Sequence, residues 1–486
     1  MASKEMITIP KSEYLEMKQQ IELLGHQLAE LKRLVFGAKK ERFIPTSPEQ
    51  YRLFDLPQEQ AGEKQQEEIT YTRSKPAKEI KQPLRAELAP HLPRREEVIE
   101  PEGLPEGAKK IGQAVTEVLE YEPATIYVRR IVRPKYVVAS SDEYTQITVA
   151  DLPTLPIPKG NAGAGILAYL LISKFVDHLP FYRLAQILKR QGVVIAESTI
   201  NGWFNAACRL LEPLYEVLKE QIQSAGYLMA DETPIAVLTK DKPGSTHKGY
   251  HWVYYDPVRR LVLFDYRPSR GREGPDQMLE NYSGYLQTDG YQAYSNLKNQ
   301  KNITLLACMA HARRKFEHAR DNDPERAETA LLMFGQLYDI ERQAREDELD
   351  VDQIKKLRQE KALPVLNRME AWLKEQLHHV LPKSAIGQAV AYTLNLWPRL
   401  ERYIEDGNFR IDNNLIENSI RPVALGRKNY LFAGSHDAAQ QAAIIYSLLA
   451  TCKINQVEPF AWLKQTLDKI PEHKANKLNE LLPAKP

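Results

Sequence analysis

Cysteine is scarce in this chain: Cys208, Cys308 and Cys452 are its only three, and they lie far apart. That excludes a disulfide framework and agrees with a reducing compartment. Long apolar runs are missing as well, and none approaches the ~18 uninterrupted residues of a bilayer-spanning helix. The opening stretch "MASKEMITIPKSEYLEMKQQ" has no apolar core of the signal-peptide kind. The expectation is a cytoplasmic protein without a membrane partner. Charge of one sign is also lacking, since a net charge of +2 excludes a histone-like polycation.

What is present points to several domains. At 486 residues the chain is long for one core, so two to four are expected. Local basic clusters hide in the balanced total. "YVRRIVRPKY" supplies Arg129, Arg130, Arg133 and Lys135; "HARRKFEHAR" supplies Arg313, Arg314 and Lys315; "IRPVALGRKNY" supplies Arg421, Arg427 and Lys428. Such clusters suit phosphate contact, although cations also decorate any solvated face.

Met17, Ile21, Leu24, Leu28, Leu31 and Val35 form a short heptad seam. It fits a zipper-like helix over 1–42, either joining two chains or packing on its own. Residues 43–83 are rich in Gln, Glu and Lys and read as a linker. Residues 84–154 contain "ATIYVRRIVRPKYVVAS", an alternating β pattern with cations on one face. Residues 155–225 read as helical. Within them "FYRLAQILKRQGVVIAESTINGWFNAACRLL" predicts a helix stopping near Gly192 and a second capped by Ser198. That is either a helix-turn-helix presenting Thr199, Asn201 and Arg209, or a plain helical hairpin.

From Tyr227 the order is strand, hairpin, helix, strand, helix, strand, the signature of an α/β fold with an RNase H-like mixed sheet over 226–435. A Leu-, Glu- and Lys-rich stretch at about 327–405 reads as an inserted helical subdomain, and 436–486 as a C-terminal helical domain. In "YLMADETPIAVL" an acidic pair follows an apolar strand, with Pro234 closing a turn. Asp289 ends the fourth strand, and Glu417 follows the insertion on a helix, where Asn413 and Arg421 share its face and Asn414 is adjacent. The first and fourth strands of such a sheet are neighbours, so Asp231 and Asp289 meet and Glu417 closes the group. Converging carboxylates repel unless a cation joins them. Hard oxygen donors suit Mg²⁺ or Mn²⁺, two ions ~3.5–4 Å apart serving in-line phosphoryl transfer. A structural acid network is the competing reading. Cys308 and His311 form a lone C-x-x-H with no second pair for zinc, so the thiol reads as buried and His311 as site-lining or structural. Tyr291 and Tyr294 are the aromatics placed to line a cleft.

The stretches "ADETPI", "TDGYQAY", "CMAHARRKF", "NNLIENSIRPVALGRKNYLFAGS" and "IIYSLLATCKINQVEPFAWL", with the earlier "FGAKKERF", resemble the DDE transposases of the insertion sequence 66 family over nearly the whole chain. The resemblance implies that Asp231, Asp289 and Glu417 are catalytic. It implies cleavage of double-stranded DNA at transposon ends and transfer of the freed 3′-hydroxyl into target DNA. It also implies a bacterial, nucleoid-associated protein, a homodimer or higher synaptic multimer, and small accessory proteins of the same element. One departure stands out. Family members carry paired CxxC motifs before the DDE domain, whereas here the matching "EPEGLPEGAKKIG" and "KYVVASSDEYT" have no cysteine. Zinc is therefore not expected. A non-catalytic DNA-binding descendant and a nuclease that never joins strands are the rival functions.

Overall fold

The computed structural model describes residues 126–129, 131–132, 135–141, 144–149, 153–158, 160–239, 244–299 and 302–483. The zipper-like helix, the linker, the segment 100–112, Arg130 and Arg133 lie outside the described residues. Contacts divide the chain into two compact units, one spanning Pro48–Val149 and the other containing Ala150–Pro486.

In the first unit β1 (Lys135–Ser141) and β2 (Tyr144–Val149) form an antiparallel hairpin, with Lys135 opposite Val149. The strand expected from Ala124 onward is shorter than predicted. Residues 126–129 and 131–132 are outside any strand and exposed, Arg129 among them. Alternation alone does not make a strand where nothing covers the apolar positions.

The second unit opens with α1 (Ala164–Phe175), α2 (Phe181–Arg190) and α3 (Glu197–Gln223). Gly192 adopts φ +82, which lets the Val193 N–H return to the Leu188 carbonyl at 3.0 Å and stops α2 where expected. Ser198 is not the cap of the next helix. The chain enters extended at Ala196, whose carbonyl already accepts from Thr199 and Ile200 at 3.0 and 3.1 Å, so Ser198 lies inside the first turn. One face of α3, including Ile200, Phe204, Leu211 and Leu218, is buried, while Thr199, Asn201 and Arg209 are exposed.

The sheet consists of β3 (Tyr227–Leu238), β4 (Thr246–Asp256), β5 (Leu261–Arg267), β6 (Gly284–Thr288) and β7 (Ile303–Ala307) in the order β5-β4-β3-β6-β7. The first three strands run antiparallel; β6 and β7 run parallel to β3. This mixed order is compatible with an RNase H-like core. The β4–β5 turn is fixed by the Asp256 carboxylate, which accepts from the Val258 and Arg259 N–H groups at 2.9 and 3.0 Å. A short helix, α4 (Glu273–Met278), separates β5 from β6. Pro234 does not close a turn, because β3 continues through it and pairs it with Tyr250. Pairing with β6 ends at Met229, so the missing proline N–H has no second strand to serve.

Helices then cover the sheet. α5 (Met309–His318) leads into α6 (Pro324–Glu346), α7 (Val351–Leu357), a π-helical turn (Arg358–Ala362), α8 (Leu363–Leu377) and α9 (Ala385–Leu400), filling the stretch read as helical. α10 (Asn414–Tyr430), α11 (His436–Ile454) and α12 (Pro459–Lys469) complete the unit. α11 is buried along most of its length and guards the edge strand. Its Ser447 and Thr451 hydroxyls accept from the Phe264 and Val262 N–H groups of β5 at 2.8 and 3.2 Å, occupying donors that could recruit a foreign strand.

Candidate active site

The opening residues of β3, Tyr227 to Ala230, are buried, and the next pair in the strand is Asp231 and Glu232. The last β3–β6 pair is Met229 with Gln287. Two residues further along each parallel strand stand Asp231 and Asp289, at matching heights where β6 stops. The Asp231 carboxylate accepts from the Glu232 N–H at 2.7 Å, and that of Asp289 from the Tyr291 N–H at 2.8 Å. Glu417 comes from the first turn of α10.

Electrostatics tie these groups together. Burial first, then the charges of Glu232, Asp289 and Glu417, hold the Asp231 carboxyl well above the usual range. Burial also raises Glu417, with Asp289 and Asp412 adding to it and Arg314 and Arg421 opposing. Burial pushes His311 down to about 4 against the pull of Asp289, leaving its imidazole neutral at pH 7. The predicted trio therefore lies in one field, with His311 beside it. Two further acids share that field, Glu232 of the acidic pair and Asp412, which no motif singled out. Glu232 is ion-paired to Arg270, whose guanidinium stacks 4.0 Å from the Tyr291 ring centroid. Asp412 accepts from the Tyr338 hydroxyl at 3.0 Å and from the Asn414 side chain at 2.7 Å.

Neighbouring layers fix the frame. Buried Gln287 accepts from the Tyr227 hydroxyl and donates to the Arg410 carbonyl at 2.9 Å, while the Arg410 N–H donates to the same hydroxyl at 3.0 Å. That knot pins the segment entering α10 to the sheet. Cys308, buried as expected, accepts from the Asn413 N–H at 3.3 Å. Asn413 itself is the N-cap residue rather than part of the exposed helix face, and its side chain is buried without a hydrogen-bond partner. Tyr294 is also buried, edge-on to Trp252, so it belongs to the core and does not line a cleft; Tyr291 is half-buried beneath Arg270.

Behind Asp289, Gly290 takes φ +90 and the Tyr392 hydroxyl of α9 donates to the Asp289 carbonyl at 2.8 Å. The helical segment thus braces one carboxylate. Tyr392→Phe removes that hydrogen bond and is expected to cost about 1 kcal/mol of stability. Thermal melts of the two proteins check it.

The remaining predicted contacts divide. Arg314 and Arg421 act on Glu417, and Lys315 lies 5.3 Å from the Tyr392 ring centroid. Arg313 pairs with Glu317 at 2.9 Å, and Arg427 donates to the Pro234 carbonyl. Lys428 is exposed on α10. Thr199, Asn201 and Arg209 are on the exposed side of α3, where the Asn201 amide donates to the Glu197 carbonyl at 2.9 Å. Lys135 begins β1 in the other compact unit.

Among the described residues, no group of three or more His, Cys, Asp or Glu is placed to hold a metal ion as it stands. The donor chemistry still fits a hard divalent cation: the side chains offer oxygen, and the largest charges acting on Asp231 are all negative. Mg²⁺ ordinarily takes only one or two protein carboxylates and completes its shell with water and substrate phosphate.

The model of the Transposase IS66 family matches residues 159–441, more than half of the chain, a span that contains Asp231, Asp289 and Glu417. The chain belongs to this transposase family. A model described as IS66 C-terminal element matches residues 447–484, and one described as Transposase C of IS166 homeodomain matches residues 23–96. Three Sinorhizobium fredii proteins are similar over long spans. Uncharacterized protein y4jD is 30% identical over 95% of this chain and 94% of its own length. Uncharacterized protein y4qI is 33% identical over 93% and 87%, and Uncharacterized protein y4hP 30% over 77% and 71%. No solved structure matches the chain significantly. Membership in a transposase family with a homeodomain-type match makes DNA the partner. No helix of the described residues is long and apolar enough to cross a membrane.

Proposed function

We propose that the chain is a DNA transposase with an RNase H-like core that cleaves DNA at transposon ends and joins the freed 3′ end to target DNA. The observation that carries this reading is the matched height of Asp231 and Asp289 on neighbouring parallel strands, with Glu417 inside their field. Asp231, Asp289 and Glu417 would hold the divalent ions. Two Mg²⁺ or Mn²⁺ ions, when bound, supply activation of the attacking oxygen and stabilisation of the leaving one. In the first step a water oxygen bonds to phosphorus and the 3′-oxygen leaves, taking a proton to become a hydroxyl. In the second, that hydroxyl bonds to a target phosphorus and the target's own 3′-oxygen departs. Arg314 and Arg421, beside Glu417, receive the phosphate charge, and neutral His311 lines the site without adding a cation. The working form is a homodimer or higher synaptic multimer.

The test is incubation of labelled end-containing duplex with target plasmid and Mg²⁺ or Mn²⁺. Nicked ends together with joined products are expected. Nicks without joined products would identify a nuclease, and intact DNA that is nonetheless bound would identify a non-catalytic descendant.

A further inference from the structure

The end of α10 carries an unusual exposed feature. Leu431 adopts φ 61 and ψ −46, and the Phe432 N–H donates to the Tyr430 carbonyl at 2.7 Å. That is a γ-turn of the rare, strained hand, centred on a branched side chain. Both flanks are anchored. Tyr430 is hydrogen-bonded to the Tyr446 hydroxyl and covered by Lys174, 4.7 Å from its ring centroid. Ala433 exchanges backbone hydrogen bonds with β3, to Ala236 at 2.8 Å and from Leu238 at 2.9 Å. Between the anchors Leu431 is 64% exposed and Phe432 40% exposed. A fold that pins a strained turn from both sides and leaves its two apolar side chains in water is not using them as core.

The surroundings say what covers them. From Asn414 to Phe432 the sequence has one acid, Glu417, and three cations, Arg421, Arg427 and Lys428. The exposed positions of α10 are Asn414, Leu415, Asn418, Leu425, Lys428 and Asn429, and with half-buried Arg421 and Arg427 they form a mainly polar face, basic toward its end and interrupted by Leu425, running from the carboxylates to the apolar tip. A face of this kind suits a phosphate backbone. From Glu417 to the end of the helix is about 20 Å at 1.5 Å per residue, the rise of roughly six base pairs.

We infer that Leu431 and Phe432 form a rigid apolar wedge that enters a base step of the bound DNA about six base pairs from the phosphate held at the carboxylates. This rests on the transposase reading above. Apolar side chains flanked by cations are used in this way to unstack a step and bend the duplex. The strained turn would keep the wedge preformed.

The test uses the full chain, with Ca²⁺ to hold an uncleaved complex, and end-containing duplexes carrying 2-aminopurine at successive steps four to eight base pairs from the cleavage site. Wild type is expected to brighten one step several-fold. Leu431→Gly suits a positive φ, so it should melt no lower than wild type, bind DNA and lose the brightening. Phe432→Ala should weaken the brightening independently. A flat signal at every step in wild type, on DNA that is cleaved once Mg²⁺ is added, would overturn the wedge and leave the transposase reading intact. Absence of both DNA binding and cleavage would remove the reading on which the wedge rests. Variants that keep the signal but change the sedimentation state would mark the tip as a contact between copies, and the wedge would be wrong.

Discussion

Asp231→Asn lowers DNA cleavage by about 10²–10³-fold or more and, in the absence of divalent ions, makes the protein more stable. The two effects share a cause. Burial and three neighbouring carboxylates raise the Asp231 carboxyl well above its unfolded value. The native state therefore binds this proton more readily than the unfolded chain does. From an unfolded pKa of about 3.9 up to the raised native value, stability falls as pH rises, and it stays reduced above that window. Acidification through the window restores what ionisation removes. Asparagine keeps the shape without the charge, so the variant is the more stable protein at pH 7. His311 titrates in the opposite sense, adding stability as pH rises from about 4 toward its unfolded value, but it is common to both proteins. Comparing melting temperatures of wild type and Asp231→Asn at pH 4, 5, 6 and 7 isolates the carboxyl. The gap should widen toward pH 7 and close toward pH 4. Adding Mg²⁺ with DNA should narrow it again by stabilising wild type alone.

Arg358→Ala is the most destabilising single change expected, about 3–5 kcal/mol, the usual cost of breaking a buried ion pair from one side. Arg358 is 1% exposed, and its guanidinium is fully engaged. It meets Glu341 through two bonds of 2.8 and 2.7 Å and donates to the carbonyls of Tyr403, Asp406 and Phe409 at 2.9, 2.8 and 2.9 Å. Those carbonyls belong to the segment that enters α10, so the guanidinium ties the helical region to the approach of Glu417. The π-helical turn that begins at Arg358 is the local deformation at this side chain. Chemical denaturation should show the loss, and cleavage by the surviving folded fraction should also be slower than wild type. Replacing both partners, Arg358→Met with Glu341→Leu, should recover much of the stability, because the penalty lies in stranding one charge.

How far the sequence could be read differs by feature. The strands of the sheet were legible because short apolar or β-rich runs such as Tyr227–Ala230, Trp252–Tyr255 and Leu261–Phe264 are bounded by turn and charged residues. Asp231 and Asp289 were legible as a pair because parallel neighbours put equivalent positions side by side. The end of β3 was misread. A fall in hydrophobicity after Ala230 marks the loss of the β6 neighbour, not the end of the strand, which β4 alone carries to Leu238. The cap of α3 was misread because a serine competes poorly once the Ala196 carbonyl has taken the first helical donors. Tyr294 follows Asp289 closely in sequence, yet a 3-10 turn from Gln292 rotates it into the core. Arg358 carried no signal, since one arginine in "KKLRQEK" looks like any solvated cation, and its carbonyl acceptors lie more than forty residues away. The same holds for Asp412 and for the Gln287 knot, which depend on contacts between distant segments.

If the carboxylates form an ion site, Mn²⁺ binding is its most direct measure. Calorimetric titration of wild type and Asp231→Asn, each with and without end-containing DNA, would measure it. Wild type is expected to bind Mn²⁺ more tightly with DNA, as a phosphate-completed site should, and the variant to lose that binding. Equal Mn²⁺ binding by both proteins in the presence of DNA would contradict the ion site.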